Sequence, residues 1–304
     1  MAIANKGKFP NELDLAIHRV FMNSLLETTS EYQLIAKEGS PDPGEAIVES
    51  EISGLGAMEE MVEGGGVIFD VPEEGHKVAR YYSKFGLGFQ VTEEAIQDSV
   101  HKNIMKMPAA LGESAVQTIN TEFFDLFNSG FDTHTAADGF YIFDTDRTLL
   151  KSTATLSNTP ATPGDLSETT LQAAFEYFWS LKTEEGFPAF MEPNELLIPY
   201  GERWTANKLL SGDRVLGSAN NDYLTTNPAN GMVPTWKVTM SRYLTDTDAW
   251  FLLSPKHDFR IVFKKKPSLE STDDFSTGNR LYKNVIRFAA FCNWYKGCYG
   301  NPGA

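Results

Sequence analysis

Two pairs of aspartates have a spacing at which neighbouring carboxylates could share a divalent cation. One residue separates Asp144 from Asp146, and one separates Asp246 from Asp248. Carboxylate oxygens suit Mg²⁺ and Mn²⁺, so either pair could serve a metal-dependent transferase. Such short patterns arise often by chance, and Asp is also a common turn residue, so Asp246 and Asp248 suit a hairpin turn. We therefore expect no metal site and keep the transferase as the least favoured hypothesis.

The other residues with reactive side chains do not form a known catalytic motif. The sequence has no G-x-S-x-G, H-E-x-x-H or Walker A motif. The glycines at 64–66 lie among acidic residues that would repel a phosphate, so they indicate a turn. Cys292 and Cys298 have a poor spacing for a metal site and indicate free thiols. We predict a protein without enzymatic activity and without a cofactor.

The charge of the chain is large, negative and unevenly distributed. The net charge is −15, which argues against nucleic-acid binding because phosphate neutralisation needs clustered Lys and Arg. Residues 1–76 contain 4 Lys and Arg against 15 Asp and Glu, whereas residues 231–304 contain 11 against 6. Surfaces of opposite charge can attract each other between copies of a chain, although both regions could equally face solvent. The candidate contacts between subunits are Glu59, Glu60, Glu63, Lys264, Lys265 and Lys266.

The N-terminal part of the chain indicates one helix and a long excursion. Apolar residues at steps of four predict an amphipathic helix after Asn11. Strand-like composition at residues 67–69 and 81–82, with glycine-rich turns around it, predicts a two-stranded excursion. An isolated two-stranded ribbon is marginally stable in water, so we expect it to pack on a neighbouring copy of the chain. No apolar run is long enough to span a membrane.

A long helix and several strands are predicted after the excursion. Thr92 is a candidate N-cap, and a helix that continues to about Ser129 would be roughly 55 Å long at 1.5 Å per residue. Pro108 should bend or break this helix, because proline removes a helical hydrogen bond. Ser167 is predicted to open a further helix. Strands are predicted at 236–243, 249–253 and 259–264.

Several passages together resemble the major capsid proteins of tailed bacteriophages, which share the Hong Kong 97-type fold. The passage F-G-L-G-F-Q-V-T-E-E-A-I-Q-D at 85–98 is similar to the start of the spine helix in that family. Three C-terminal passages resemble the strands that close its peripheral domain: W-F-L-L-S-P at 250–255, D-D-F-S-T-G-N-R-L-Y-K at 273–283 and R-F-A-A-F-C-N-W-Y-K-G at 287–297. The resemblance covers most of the chain in the order of its elements and implies an α+β fold.

The same resemblance implies a division of the chain into the parts of that fold. Residues 1–56 correspond to the N-terminal arm, and residues 57–90 correspond to the extended loop. Residues 91–134 and 236–304 correspond to the peripheral domain with the spine helix, and residues 135–235 correspond to the axial domain.

The function that this resemblance implies is assembly. Many copies would associate through hexamers and pentamers into an icosahedral shell that encloses double-stranded DNA without sequence-specific binding. The protein would belong to the virion and assemble in the host cytoplasm, with a portal, cement proteins and a separate scaffolding protein. That scaffold is expected because the chain begins shortly before its arm. The alternative within this fold is an encapsulin-like nanocompartment shell that holds a cargo enzyme.

Overall fold

The helices and strands of the chain divide into two compact units of mixed α and β structure. The computed structural model describes residues 10–304 except 59, 62, 64, 65, 68, 73, 93, 96–103, 150–154, 211–213, 217–223, 227–235 and 275. The first unit consists of the chain up to Ile47 together with Arg80–Phe123 and Arg260–Ala290. The second unit consists of Val48–Ala79, Phe124–Phe259 and Phe291–Ala304. The predicted α+β class is confirmed.

The elements are numbered here in chain order. The helices are α1 Pro10–Glu27, α2 Lys106–Asn128, α3 Glu168–Ser180 and α4 Arg203–Leu210, with short 3-10 turns at Glu31–Leu34 and Tyr200–Glu202. The strands are β1 Lys37–Gly39, β2 Ala46–Ile52, β3 Glu74–Tyr81, β4 Ser83–Val91, β5 Arg147–Thr148, β6 Thr155–Leu156, β7 Glu195–Pro199, β8 Arg214–Leu216, β9 Leu224–Thr226, β10 Lys237–Ser241, β11 Trp250–Leu253, β12 Phe259–Lys265, β13 Leu269–Asp273, β14 Arg280–Cys292 and β15 Cys298–Asn301.

The first unit is built on a five-stranded sheet in the order β1-β12-β14-β13, with β4 also paired to β14. Strand β4 runs antiparallel to β14, from Arg280 opposite Val91 to Phe288 opposite Ser83. Phe85 stacks on Phe288 across this pair, with ring centroids 5.3 Å apart. Such cross-strand aromatic pairs stabilise a sheet beyond the apolar area that they bury.

The second unit is built on a four-stranded sheet in the order β10-β7-β11-β15. All five residues of β7 are buried, as expected for a strand with neighbours on both sides. The predicted strands at 236–243 and 249–253 are confirmed as β10 and β11. The predicted hairpin at Asp246 and Asp248 is wrong, because β7 lies between the two strands and pairs with each of them.

The two-stranded excursion forms, but with other residues than the composition suggested. Strand β2 pairs with β3 in a separate two-stranded sheet. Val67 and Phe69 lie outside any strand, and Ile68 is not among the described residues. Strand β3 reads E-G-H-K-V-A-R-Y, without the apolar composition by which strands are usually recognised. A ribbon with both faces largely in solvent does not need that composition, and this explains the misplaced strand.

The predicted long helix is observed over its second part, within the described residues. Thr92 Oγ1 accepts a hydrogen bond from the amide of Ala95 at 3.3 Å, as a cap does. Helix α2 begins at Lys106 and ends at Asn128, and Pro108 lies in its first turn. Proline is tolerated there because the first amides of a helix have no partner within it. The predicted stretch through 96–103 lies outside the described residues.

Arg147 is a buried cation in the second unit. Its side chain is fully buried and pairs with Asp138, and it also donates to the carbonyl oxygens of Tyr141 and Ile142. Its guanidinium lies 4.1 Å from the ring centroid of Tyr295. A buried guanidinium is tolerated only when such partners replace its water, so this set ties the loop at 138–142 to β5.

Replacing Arg147 by Met should destabilise the protein by about 3–5 kcal/mol, because Asp138 would remain buried without a counter-ion. Chemical denaturation of the purified chain measures this change. The control is Lys265→Met, which removes an ion pair whose partners are 39% and 44% exposed, so its effect on stability should be much smaller. Equal effects of the two substitutions would contradict the assignment of Arg147 as the buried charge that organises this region.

Candidate functional site

The lysines at the end of β12 were predicted as subunit contacts, and Lys264 holds a segment of its own chain. Its Nζ donates to the carbonyl oxygens of Asp42, Pro43 and Gly44 at 2.5, 2.8 and 3.1 Å. The same ammonium lies 5.4 Å from the ring centroid of Tyr82, whose hydroxyl accepts from the Asp42 amide. One side chain thus fixes the turn that precedes β2.

The other two lysines of the cluster make exposed ion pairs in the same unit. Lys265 lies 2.5 Å from a carboxylate oxygen of Glu270, and Lys266 lies 2.5 Å from one of Glu38. The hydrogen bond to Glu38 raises the pKa of the Lys266 ammonium. Such surface pairs are weak, so both lysines can exchange these partners for others.

The acidic partners that were predicted for these lysines lie in the loop between β2 and β3. Glu60 and Glu63 are exposed, and Glu59 is outside the described residues. A contact between these acids and the lysines of a neighbouring copy stays a prediction.

The loop between β2 and β3 exposes an unusual amount of apolar surface. Six large apolar side chains between residues 55 and 71 are more than half exposed: Leu55, Met58, Met61, Val67, Phe69 and Val71. Met58 and Phe69 are 101% and 88% exposed. Exposed apolar residues that cluster in one segment are typical of surfaces that become covered on association.

The end of the β2–β3 ribbon that leads into its loop lies beside a cavity of about 290 Å³ in the second unit. Glu51 of β2, His76 of β3 and Glu184 line this cavity. Lys296 pairs with Glu184, and the two side chains are 15% and 11% exposed. Burial raises the pKa of Glu51, and the negative charge of Glu184 adds to the effect. The sequence analysis missed this cluster, because its residues come from distant segments without a local motif.

The aspartate pairs do not converge on a shared site. Asp144 Oδ1 accepts from the amides of Thr145 and Asp146 at 2.7 and 3.3 Å. Asp246 Oδ1 accepts from the amide of Asp248 at 3.1 Å. Each of these carboxylates therefore caps its own turn. Within the described part of the chain, no group of three or more His, Cys, Asp or Glu side chains is arranged to hold a metal ion.

The two cysteines and His134 have other partners. Cys292 and Cys298 are buried free thiols, and burial together with the neighbouring Cys298 raises the pKa of Cys292. His134 Nε2 lies 2.7 Å from Asp125 Oδ2 at the end of α2. Among the described residues, no helix is both long and apolar enough to cross a membrane.

The comparison with protein families gives one match over most of the chain. A family model described as phage capsid protein matches residues 82–300, which is more than two thirds of the sequence. The match begins just before β4 and ends in β15. It therefore includes strands of the four-stranded sheet and every strand of the five-stranded sheet except β1. Among curated proteins, no sequence match is found.

Solved structures with a similar fold come from assembled particles. The capsid of a native GTA particle is 8% identical with a TM-score of 0.60, covering 91% of this chain and 94% of that chain. The capsid of bacteriophage JBD30 decorated with minor capsid protein trimers is 14% identical with a TM-score of 0.56, covering 80% and 100%. A virus-like particle from Pyrococcus furiosus is 9% identical with a TM-score of 0.52, covering 94% and 98%. These likenesses show the fold.

Replacing Lys264 by Met should free the segment at 42–44, because it removes three hydrogen bonds from one charged donor. Hydrogen–deuterium exchange should then be faster at residues 40–46, with unchanged exchange in β11. Lys266→Met is the matched control, since it removes only an exposed pair to Glu38. If both variants exchange like the unmodified protein, Lys264 does not hold this turn.

Proposed function

This chain belongs to the phage capsid protein family, and on that premise we propose how its copies build a shell. The protein is a structural subunit of the virion and forms an icosahedral capsid by self-assembly. We propose that its copies first form hexamers and pentamers and that the shell closes around double-stranded DNA in the host cytoplasm. The shell would hold this DNA by enclosure, because a chain with a net charge of −15 repels phosphate.

The observation that carries this proposal is the exposed apolar loop between β2 and β3. Full burial of a large apolar side chain stabilises an association by roughly 1.5–3 kcal/mol. Met58 and Phe69 are almost fully exposed in the single chain, so each can contribute most of this amount when a neighbour covers the loop. In a ring of subunits, each loop would lie on the next copy, and the contact would repeat until the ring closes.

Further partners and the division into domains are also part of the proposal. We propose that a separate scaffolding protein guides assembly and that a portal and cement proteins complete the particle. A procapsid of bacteriophage JBD30 is among the structures with this fold, which supports a precursor shell. The arm at 1–56, the extended loop at 57–90, the axial domain at 135–235 and the peripheral remainder are retained as proposed parts of each subunit.

A cellular nanocompartment is the second candidate function. The observation that favours it is the similarity in fold to the Pyrococcus furiosus virus-like particle. The contents of purified particles separate the two functions. Packaged double-stranded DNA supports the phage capsid, whereas an enclosed protein cargo supports the nanocompartment. A protein that forms no particles and turns over a substrate would overturn both.

Replacing Met58 and Phe69 by Ser should leave the subunit folded but reduce the yield of closed shells at least severalfold, because the loop loses its apolar contacts. Electron microscopy and sedimentation of the expressed protein measure shell yield, and circular dichroism checks the fold. The matched control replaces both residues by Leu, which keeps the loop apolar. Normal shells from the Ser variant would show that this loop is not a principal contact.

Replacing Lys264, Lys265 and Lys266 by Glu should slow assembly if these lysines meet an acidic loop of a neighbour. The reversed change of Glu59, Glu60 and Glu63 to Lys should then partly restore assembly. Each contact is worth about 0–1 kcal/mol and should weaken with salt, since the screening length falls to about 3 Å at 1 M. The Lys264→Met variant controls for loosening of the turn at 42–44. An assembly rate that changes with neither charge nor salt would contradict this contact.

A further inference from the structure

The loop-side end of the β2–β3 ribbon is attached to other segments of the second unit by polar contacts. Asn293 Nδ2 donates to Glu49 Oε2 at 2.8 Å. The amide of Gly54, just beyond β2, donates to the carboxylate of Glu185. Both contacts use carboxylates as acceptors, so the attachment depends on the electrostatics of its surroundings.

Glu51 lies between these two contacts and faces a cavity with many charged groups. The titratable and charged groups that surround it come from every segment at the cavity: His76 of β3, Asp138 of the loop after α2, Glu184 of the loop after α3, Lys256 and Asp258 of the turn before β12, and Tyr295 and Lys296 of the turn before β15. Glu49 and Glu185 lie at the two attachment points.

Three of the four carboxylates that line the cavity have dedicated partners. Asp138 pairs with Arg147, and Glu184 pairs with Lys296. Asp258 Oδ2 accepts from the backbone amides of residues 293 and 294 at 3.0 and 3.2 Å. No hydrogen bond from a described residue reaches the carboxylate of Glu51. Its negative charge is met only by the through-space attraction of Lys296 and His76, without a direct partner of its own.

We propose that Glu51 is a proton-controlled latch, which holds the loop-side end of the ribbon in place when its carboxyl group is neutral and releases it when the group is charged. A charged Glu51 is held next to Glu184 in a partly desolvated cavity, which favours movement of the ribbon towards water. A neutral Glu51 removes this repulsion, and the contacts of Glu49 and Gly54 then hold the ribbon.

The direction of the pH dependence follows from the environment of Glu51. Burial, and next the charge of Glu184, raise the pKa of this carboxyl above its usual value of 4.5, although Lys296 and His76 act in the opposite direction. The attached ribbon consequently binds a proton more tightly than a detached one. Acidification stabilises the attached state, and this contribution is lost as the pH rises through the raised pKa.

The consequence for assembly rests on the proposed function, in which the ribbon carries the loop that contacts a neighbour. A loosened ribbon can place its loop against differently positioned neighbours while a shell forms. Protonation of Glu51 then restricts the ribbon to fewer positions. The latch itself is a property of one subunit, so it can be tested whether or not shells form.

The test is hydrogen–deuterium exchange of the full chain at about pH 4, below the usual pKa of a glutamate, and at about pH 8, corrected for the intrinsic pH dependence of exchange. Peptides that cover β2 and β3 should be protected severalfold more strongly at the lower pH. Glu51→Gln mimics the neutral group and should show the high protection at both values. Glu74→Gln removes a charge from an exposed position of the same ribbon and should behave like the unmodified protein.

A third variant separates Glu51 from the neighbouring histidine. In His76→Gln the pH dependence should persist, because this change leaves the carboxyl group in place. A dependence that survives in Glu51→Gln, or that disappears in His76→Gln, would overturn the latch. Equal protection of the unmodified ribbon at both pH values would also overturn it. If the unmodified protein forms no shells but its ribbon keeps the pH-dependent protection, the result would count against the proposed function and not against the latch.

Discussion

The pairing of β14 with its neighbours connects segments of the first unit that lie far apart in sequence. One partner, β4, ends at Val91, whereas β12 begins at Phe259 and β13 at Leu269. The sheet can therefore form only when almost the whole chain is available. Contacts between distant residues carry a loop-closure cost before they stabilise the fold, so this architecture is expected to fold slowly. The β2–β3 ribbon is connected to this sheet through a single residue, because β4 begins two residues after the end of β3.

Signals that act within a few residues were sufficient to predict several elements. Ser167 accepts from the amide of Thr170, and the Thr170 hydroxyl accepts from the amide of Ser167, so the predicted start of α3 is a capping box. Thr92 was recognised for the same reason. Strands β10, β11 and β12 contain alternating or consecutive apolar residues and are bounded by turn residues. Their predicted ends lie within a few residues of the observed ends. These features depend on local hydrogen bonds and on burial periodicity, which the sequence displays directly.

Features that depend on distant partners could not be predicted in this way. Strand β3 is solvated on most of its surface, so no apolar pattern marks it. Strand β7 lies between β10 and β11, so these two strands do not pair with each other as the expected hairpin would require. The partners of Arg147 and Glu51 come from several segments, and no spacing in the sequence relates them. The family resemblance supplied the fold class where local patterns could not.

Apolar and charged residues have different physical roles in the loop between β2 and β3. An exposed ion pair stabilises a contact by about 0–1 kcal/mol, whereas burial of one large apolar side chain contributes roughly 1.5–3 kcal/mol. The strength of a contact through this loop would thus come mainly from residues such as Met58 and Phe69. The acidic residues between them act over longer distances, keep free subunits apart and select the orientation of approach. A subunit with a net charge of −15 can therefore remain soluble before assembly while it carries an exposed apolar segment. This same charge makes the balance between free and assembled subunits sensitive to salt and to the protonation of partly buried carboxylates such as Glu51.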